Sequence, residues 1–157
     1  MAPARSTVRI ARATPRQLDQ LVPLVLGYFE FYQVPASAPA VRRFLRARLT
    51  RGDSHLFLAR LNGQPVGFMQ LYPTFATLAL KRAWVLYDLF VAPTARRHGV
   101  ATALLERAHR LGAQTGATEL VLETARTNRQ AQRLYEGLGW QRDNAFLVYR
   151  RYYRPRK

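Results

Sequence analysis

The chain contains no cysteine, and that absence narrows its chemistry. Without a single cysteine among 157 residues, a disulfide scaffold, a thiolate metal site and a cysteine nucleophile are all excluded. The three histidines, His55, His98 and His109, lie far apart in the sequence and match no zinc-binding spacing. We therefore expect no metal centre.

Long apolar segments are also missing. The longest one, residues 21–29, is interrupted by Pro23 and Gly27 and is shorter than the roughly 20 residues that a membrane span requires. The first 13 residues contain three arginines but no apolar segment of the kind that signal peptides have. Val8 and Ile10 among polar neighbours favour a first strand there instead. The sequence predicts a cytoplasmic protein that does not insert into a membrane.

Positive charge is the strongest compositional feature. Lysine and arginine number 25 against nine acidic residues, which gives a net charge of +16. Lys81 and Lys157 are the only lysines. Such a charge is typical of proteins that neutralise nucleic-acid phosphates. The arginines are dispersed up to a terminal cluster beginning at Arg150, so we do not expect a dedicated nucleic-acid surface. Nucleic-acid binding stays as an alternative.

The apolar periodicity predicts one domain over residues 1–157 with mixed α/β structure. A strand over residues 8–12 precedes a helix that Thr14 caps and Pro15 begins. A second helix ends near Gly52 and turns four apolar side chains inward: Val41, Phe44, Leu45 and Leu49. Strands over residues 55–61 and 66–71 then form a hairpin around Asn62-Gly63.

The second half of the chain alternates strands and helices. The pattern predicts strands over residues 84–91, 119–124 and 145–153, and helices over residues 99–115 and 128–138 that Gly116 and Gly139 terminate. The first of these strands, the next helix and the next strand form a right-handed crossover. The fold class is therefore a central twisted sheet of six to seven strands, flanked by about four helices on both faces.

The junction before the helix at residue 99 carries the first chemical signal. Free backbone N–H groups and the positive end of the helix dipole favour an anion at such a site. Arg96 and Arg97 add charge, while Gly99 and Ala101 allow a close approach of the backbone. The segment lacks the lysine of a Walker loop and the three glycines of a dinucleotide fingerprint. An ordinary basic turn remains the alternative.

Together with a second segment 30 residues later, this loop resembles the GNAT superfamily of N-acetyltransferases. The acyl-CoA loop of that family, Arg/Gln-x-x-Gly-x-Gly/Ala, is matched by Arg96, Gly99 and Ala101, with alanine where glycine is commoner. The motif of the family's next helix is matched by Asn128, Ala131, Leu134, Tyr135, Gly139 and Trp140. Residues 87–91 further resemble the diamine and histone/polyamine acetyltransferase branch. Taken without the resemblance, Asn128 is a helix cap and Tyr135 a half-buried aromatic residue.

The resemblance implies that acetyl-CoA donates an acetyl group to a primary amine by direct attack in a ternary complex. The acceptor would be a small amine, a polyamine or a lysine side chain, and the protein would be a homodimer. Tyr135 would be the general acid that protonates the departing thiolate. Contacts with the cofactor are implied for Leu89, Phe90, Val91, Arg96, Arg97, His98, Gly99, Val100, Ala101, Thr102 and Asn128. Another acyl-CoA donor, or loss of catalysis on the same fold, stays open.

Asp88 is the carboxylate that we expect on the amine side. It interrupts an apolar strand, where an unpaired charge is costly. It would accept the proton of the amine or bind a cationic substrate, and a structural role beside an arginine is the alternative. Glu123 is the second candidate. Further contacts with the acceptor are predicted for Glu30, Tyr32 and Tyr72.

Overall fold

Five strands form one mixed sheet in the computed structural model, which describes residues 7–153. The strands are β1 (Val8–Arg12), β2 (His55–Leu61), β3 (Gln64–Ala76), β4 (Lys81–Val91) and β5 (Glu119–Leu122), and they neighbour one another in that order. The first four pair antiparallel, and β5 pairs parallel to β4. The mixed α/β class is confirmed.

Four helices begin and end where the local sequence dictates. Thr14 and Gln17 form a capping box on a 3₁₀ turn that leads into α1 (Leu18–Phe31). Ser37 caps α2 (Ala38–Arg51), which Gly52 ends in the left-handed conformation at φ 66°. The other two are α3 (Val100–Gln114) and α4 (Arg129–Gly137). No helix within residues 7–153 has the length and apolarity to cross a bilayer.

The chain divides into two units, Met1–Glu123 and Thr124–Lys157. The sheet and the first three helices belong to the first unit, and α4 belongs to the second. Asn128 is the N-cap of α4, as expected, and its Oδ1 accepts a hydrogen bond from the Ala131 N–H at 3.2 Å. The single domain over residues 1–157 stays a prediction.

Alternate residues of β2 fill the two faces of the sheet in the first unit. Leu56 and Leu58 belong to the buried cluster that α1 and α2 cover. Phe57 points to the opposite face, where the guanidinium of Arg107 on α3 lies 4.6 Å from its ring centroid. On α3, Leu104 and Leu105 are fully buried. Helices therefore pack on both faces of the sheet.

A register shift in β4 separates the paired part of the sheet from an open edge. Gln70 lies opposite Asp88 and Leu71 lies opposite Leu86, so Tyr87 is an extra residue in β4. Pairing between β4 and β5 covers only residues 83–86 against 119–122. From Tyr87 to the end of the strand, β4 therefore pairs with β3 alone among the described strands.

The expected count of six to seven strands was too high for the described residues. The strand predicted over residues 145–153 is not formed, and Phe146, Tyr149, Tyr152 and Tyr153 are each at least 79% exposed. Aromatic and β-branched residues favour a strand only where a neighbouring strand supplies backbone partners. High β propensity in that segment was therefore an insufficient signal.

Other differences from the sequence predictions are smaller. The strand β3 continues to Ala76, and β4 already begins at Lys81. Both are longer than expected, because they form a second hairpin that the sequence did not indicate. The strand β5 ends at Leu122, two residues earlier than expected. Phe44, which we expected in the core, is 49% exposed.

Gly67 on β3 is required by the close approach of β4. A Cβ atom at this position would lie 2.6 Å from the backbone oxygen of Phe90. The variant Gly67→Ala should therefore lower the free energy of unfolding by about 1–3 kcal/mol, measured by urea denaturation. Gly137→Ala on α4 is the control, because nothing lies within 4 Å of its added Cβ. Equal stability of the two variants would contradict the close approach.

Candidate functional site

A cavity of about 700 Å³ lies in the first unit between α1, α2 and the sheet. The connection between the two helices contributes Pro35 and Ala36 to its wall. Among the described residues that line it, Asp88 is the one carboxyl, and none is Lys, Arg or His. Most of the wall is apolar, and six of its side chains are aromatic: Tyr28, Phe29, Phe44, Phe68, Tyr72 and Tyr87.

The extra residue in β4 explains why two consecutive side chains line the cavity. In a regular strand, neighbours such as Tyr87 and Asp88 would point to opposite faces of the sheet. The register shift at this point turns both toward the cavity. Bulges occur frequently beside active sites, where they redirect a side chain. The local backbone thus places a carboxyl against an aromatic wall.

Asp88 is held in an environment that favours its protonated form. Burial raises the pKa of its carboxyl from 3.8 to about 6, and a hydrogen bond from the Tyr28 side chain acts in the opposite direction. Asp88 forms no ion pair with the described residues, whereas Asp19 pairs with Arg42 and Asp53 with Arg48. A structural role beside an arginine is therefore not supported.

Tyr28 is a residue of the candidate site that the sequence prediction did not include. Its ring contacts those of Tyr32, Phe68 and Phe90 edge to face, at centroid distances of 5.0, 5.7 and 6.2 Å. Burial and then the negative charge of Asp88 hold the pKa of Tyr28 far above its usual range. The hydroxyl therefore stays protonated and can donate to the carboxyl. Tyr28 follows the buried Val25 by three residues, and this spacing indicated that both lie on the same face of α1.

Gln70, Tyr72 and Thr74 are the polar residues that β3 contributes to the wall. Burial, followed by the charge of Asp88, raises the pKa of Tyr72 to about 12. The Tyr72 ring meets that of Tyr87 edge to face at 5.8 Å. Gln70 is 2% exposed, and its Nε2 donates to the Ser54 Oγ at 2.9 Å. Nothing in the sequence pattern pointed to Gln70, because its role depends on the pairing of β3 with β4.

The other residues that we predicted for the acceptor lie in different surroundings. Glu30 and Glu123 are exposed, and neither belongs to the cavity wall. Tyr32 is 49% exposed and is linked to the site through Tyr28, by a ring contact and a hydrogen bond between the two side chains. Within residues 7–153, no three His, Asp or Glu side chains lie together in the manner of metal ligands.

The open edge of β4 begins beside Asp88. The Ala92 N–H donates to the Val66 oxygen at 2.8 Å, on the β3 side. Because antiparallel pairs alternate, the backbone groups of Phe90 also face β3, whereas those of Leu89 and Val91 face the other edge. On that edge the Arg96 Nε donates to the Val91 oxygen at 3.4 Å. The N–H groups of Leu89 and Val91 are therefore oriented to pair with an extended ligand.

The loop between β4 and α3 has the geometry of an anion site. Arg97 and Gly99 adopt left-handed φ values of 64° and 76°. Gly99 is the N-cap of α3, and no side chain caps the first turn. The N–H groups at the start of the helix, on Val100, Ala101 and Thr102, therefore lack a side-chain acceptor. Exposed residues Arg96, Arg97 and His98 flank them, so a diphosphate fits the local charge and backbone.

Tyr135 lies on α4 in the second unit. It is partly buried, and its ring lies 6.1 Å from that of Trp140. The partial burial agrees with the interpretation of Tyr135 as a half-buried aromatic residue. Its role as the general acid stays a prediction.

Comparison with known proteins gives a consistent family. The model of the Acetyltransferase (GNAT) family matches residues 20–140. An uncharacterized N-acetyltransferase of Bacillus subtilis, YhfO, is 39% identical over 90% of this chain and 95% of its own. Thialysine N-epsilon-acetyltransferase of Caenorhabditis elegans is 26% identical over 81% of this chain and 79% of its own. A crystal structure of a probable acetyltransferase, also 39% identical, superposes with a TM-score of 0.89 and covers 94% of this chain and 99% of that one.

The pKa of Asp88 predicts a specific dependence of stability on pH. The folded state binds this proton more tightly than the unfolded state, so the contribution of Asp88 lowers stability as pH rises from about 4 to about 6. In Asp88→Asn the stability relative to the wild type should therefore increase across that window, by on the order of 3 kcal/mol. Urea denaturation at several pH values measures it. The exposed Asp143→Asn is the control, and a pH-independent difference for Asp88→Asn would contradict the prediction.

Proposed function

Because this chain belongs to the GNAT acetyltransferase family, we propose that it transfers the acetyl group of acetyl-CoA to a primary amine bound at Asp88. The observation that carries this proposal is the position of Asp88 in an aromatic cavity, directly before the open edge of β4. Two consecutive parts of one strand would thus serve the amine and the thioester. The short distance along the strand favours direct attack.

The first turn of α3 and the loop before it would bind the diphosphate of the cofactor. Backbone N–H groups and the helix dipole supply the attraction, and Arg96 and Arg97 add charge. The edge formed by Leu89 and Val91 would pair with the pantetheine arm as an added strand. One N–H group there would also stabilise the oxyanion that develops on the acetyl carbonyl, a contribution of about 3 kcal/mol in known enzymes. We propose the cofactor contacts of His98 and Asn128 on the family resemblance alone.

Asp88 would take up the proton that the ammonium form of the acceptor must lose. With a pKa of about 6 the carboxylate is mostly ionised at neutral pH and still basic enough to accept. The free amine nitrogen then attacks the carbonyl carbon, the carbon–sulfur bond breaks, and the nitrogen releases its second proton to water, from which the donor to the thiolate is reprotonated. On the family motif, Tyr135 would donate the proton that the departing thiolate receives.

A cationic amine suits the wall around Asp88. Aromatic faces attract an ammonium group, and a carboxylate pairs with it. The name of the Caenorhabditis elegans relative specifies an N-epsilon amine as its acceptor, which supports the same class here. Contacts of Glu30, Tyr32 and Glu123 with the acceptor remain predictions. The homodimer also remains a prediction, which light scattering on the purified protein would test.

Binding of acetyl-CoA and the role of Tyr135 can be tested together. Acetyl-CoA should raise the melting temperature of the wild type, because a ligand of the folded state stabilises it. Tyr135→Phe should keep most of that increase and lower turnover at least tenfold, measured by release of free CoA. No increase with acetyl-CoA would overturn the proposed function. Normal turnover of Tyr135→Phe would remove only the acid role of this tyrosine.

Tyr28→Phe should change the pH profile rather than the maximal rate. Without the donated hydrogen bond the pKa of Asp88 rises further, so the acid limb of kcat/KM should move to higher pH. Activity should therefore fall more at pH values near 6 than near 8. Tyr72→Phe is the matched control, since no hydrogen bond links Tyr72 to Asp88, and its acid limb should stay in place. An equal loss of activity by Tyr28→Phe at every pH would contradict this role.

A further inference from the structure

We propose that the acceptor is a primary amine with a single positive charge and an apolar or aromatic body, and that diamines and polyamines are poor substrates. This inference rests on the proposed function and specifies the substrate class of the same cavity. It departs from the branch that the sequence resembles. The argument depends on the charges in and around the cavity.

The cavity provides a counter-charge for one ammonium group only. Seventeen residues within 7–153 line it, and Asp88 is the single carboxyl among these. A diamine whose first nitrogen lies at Asp88 would place its second ammonium against aromatic and aliphatic side chains. An aromatic face compensates only part of the hydration that a buried ammonium loses. A second charge inside the cavity is therefore unfavourable.

Carboxylates outside the cavity do not supply the missing partner. Asp53 is bonded to the Arg48 Nε at 2.7 Å, and the Arg48 guanidinium lies 5.1 Å from the ring centroid of Phe44. Phe44 is itself part of the cavity wall, so the Arg48–Asp53 ion pair stands beside it, and the charge of Asp53 is already compensated by Arg48. Glu30 is exposed and lies outside the wall. A second ammonium near Phe44 would have to compete with the Arg48 guanidinium for the Asp53 carboxylate.

The walls favour an apolar body for the acceptor. Phe44 and Tyr87 are 49% and 71% exposed, although both line the cavity. A ligand that covers them gains the free energy of removing apolar surface from water. Gln70, the one amide in the wall, already donates to Ser54. The ligand that complements this cavity therefore has an apolar body and one ammonium group that pairs with Asp88.

The charge of the whole chain acts in the same direction. A net charge of +16 repels a dication more strongly than a monocation during approach. This effect weakens as salt is added, because surface charges are screened. The preference that originates in the cavity should persist at high salt, since the buried part is screened much less.

A matched pair of amines tests the inference on the wild-type protein. Hexylamine and hexamethylenediamine have the same carbon chain and differ by the second amine. With saturating acetyl-CoA, kcat/KM for hexylamine should exceed that for the diamine at least tenfold, at low and at high salt. Phenethylamine should equal or exceed hexylamine, and spermidine should resemble the diamine.

A second carboxylate in the wall should relax the preference. Thr74 lies on β3, lines the cavity and is exposed, so a longer polar side chain can be accommodated there. Thr74→Glu should reduce the ratio of the two kcat/KM values, and Thr74→Gln, which has the same shape without the charge, should keep it. An unchanged ratio in Thr74→Glu would count against the charge argument.

The outcomes separate the inference from the proposed function. A diamine that reacts as well as or better than hexylamine overturns the inference and leaves acetyl transfer intact. A ratio that disappears at high salt also overturns it, because the preference would then originate at the surface. Absence of CoA release with every amine overturns both proposals.

Discussion

One extra residue in β4 is the constraint on which the candidate site depends. By inserting Tyr87, the register shift turns Tyr87 and Asp88 to the same face of the sheet. The pairing of β4 with β5 stops at Leu86, one residue before the shift. The amide groups of Leu89 and Val91 are consequently left for a ligand. The proposed positions of the amine, at the carboxyl, and of the thioester, at the backbone edge, both depend on this local irregularity.

The buried carboxylate of Asp88 lowers the stability of the folded protein. Removal of its carboxylate from water is unfavourable, and the hydrogen bond from Tyr28 offsets only part of that cost. The surrounding core tolerates it, because Leu21 on α1, Leu45 on α2 and Leu56 on β2 are almost completely buried. The same helix α1 supplies core residues and Tyr28. Packing and the ionisation of the carboxyl are therefore linked through one element.

The features that were predicted correctly from the sequence depend on interactions between residues close together in the chain. The helix cap at Thr14, the hairpin at Asn62-Gly63 and the cap at Asn128 all depend on neighbours in sequence. Asp88 was recognised because a carboxylate in an apolar strand is conspicuous. The register shift and the Tyr28 contact were not predicted, since each depends on which strand or helix lies opposite. The same limitation explains the wrongly predicted strand over residues 145–153.

The connection between α1 and α2 separates substrate choice from the stability of the fold. All residues from 31 to 40 are exposed, yet Pro35, Ala36 and Ala40 form part of the cavity wall. A change of sequence or length there would reshape the entrance without removing a core contact. Loop grafting there would therefore alter the proposed acceptor site, while the strand that carries Asp88 would keep its pairing with β3.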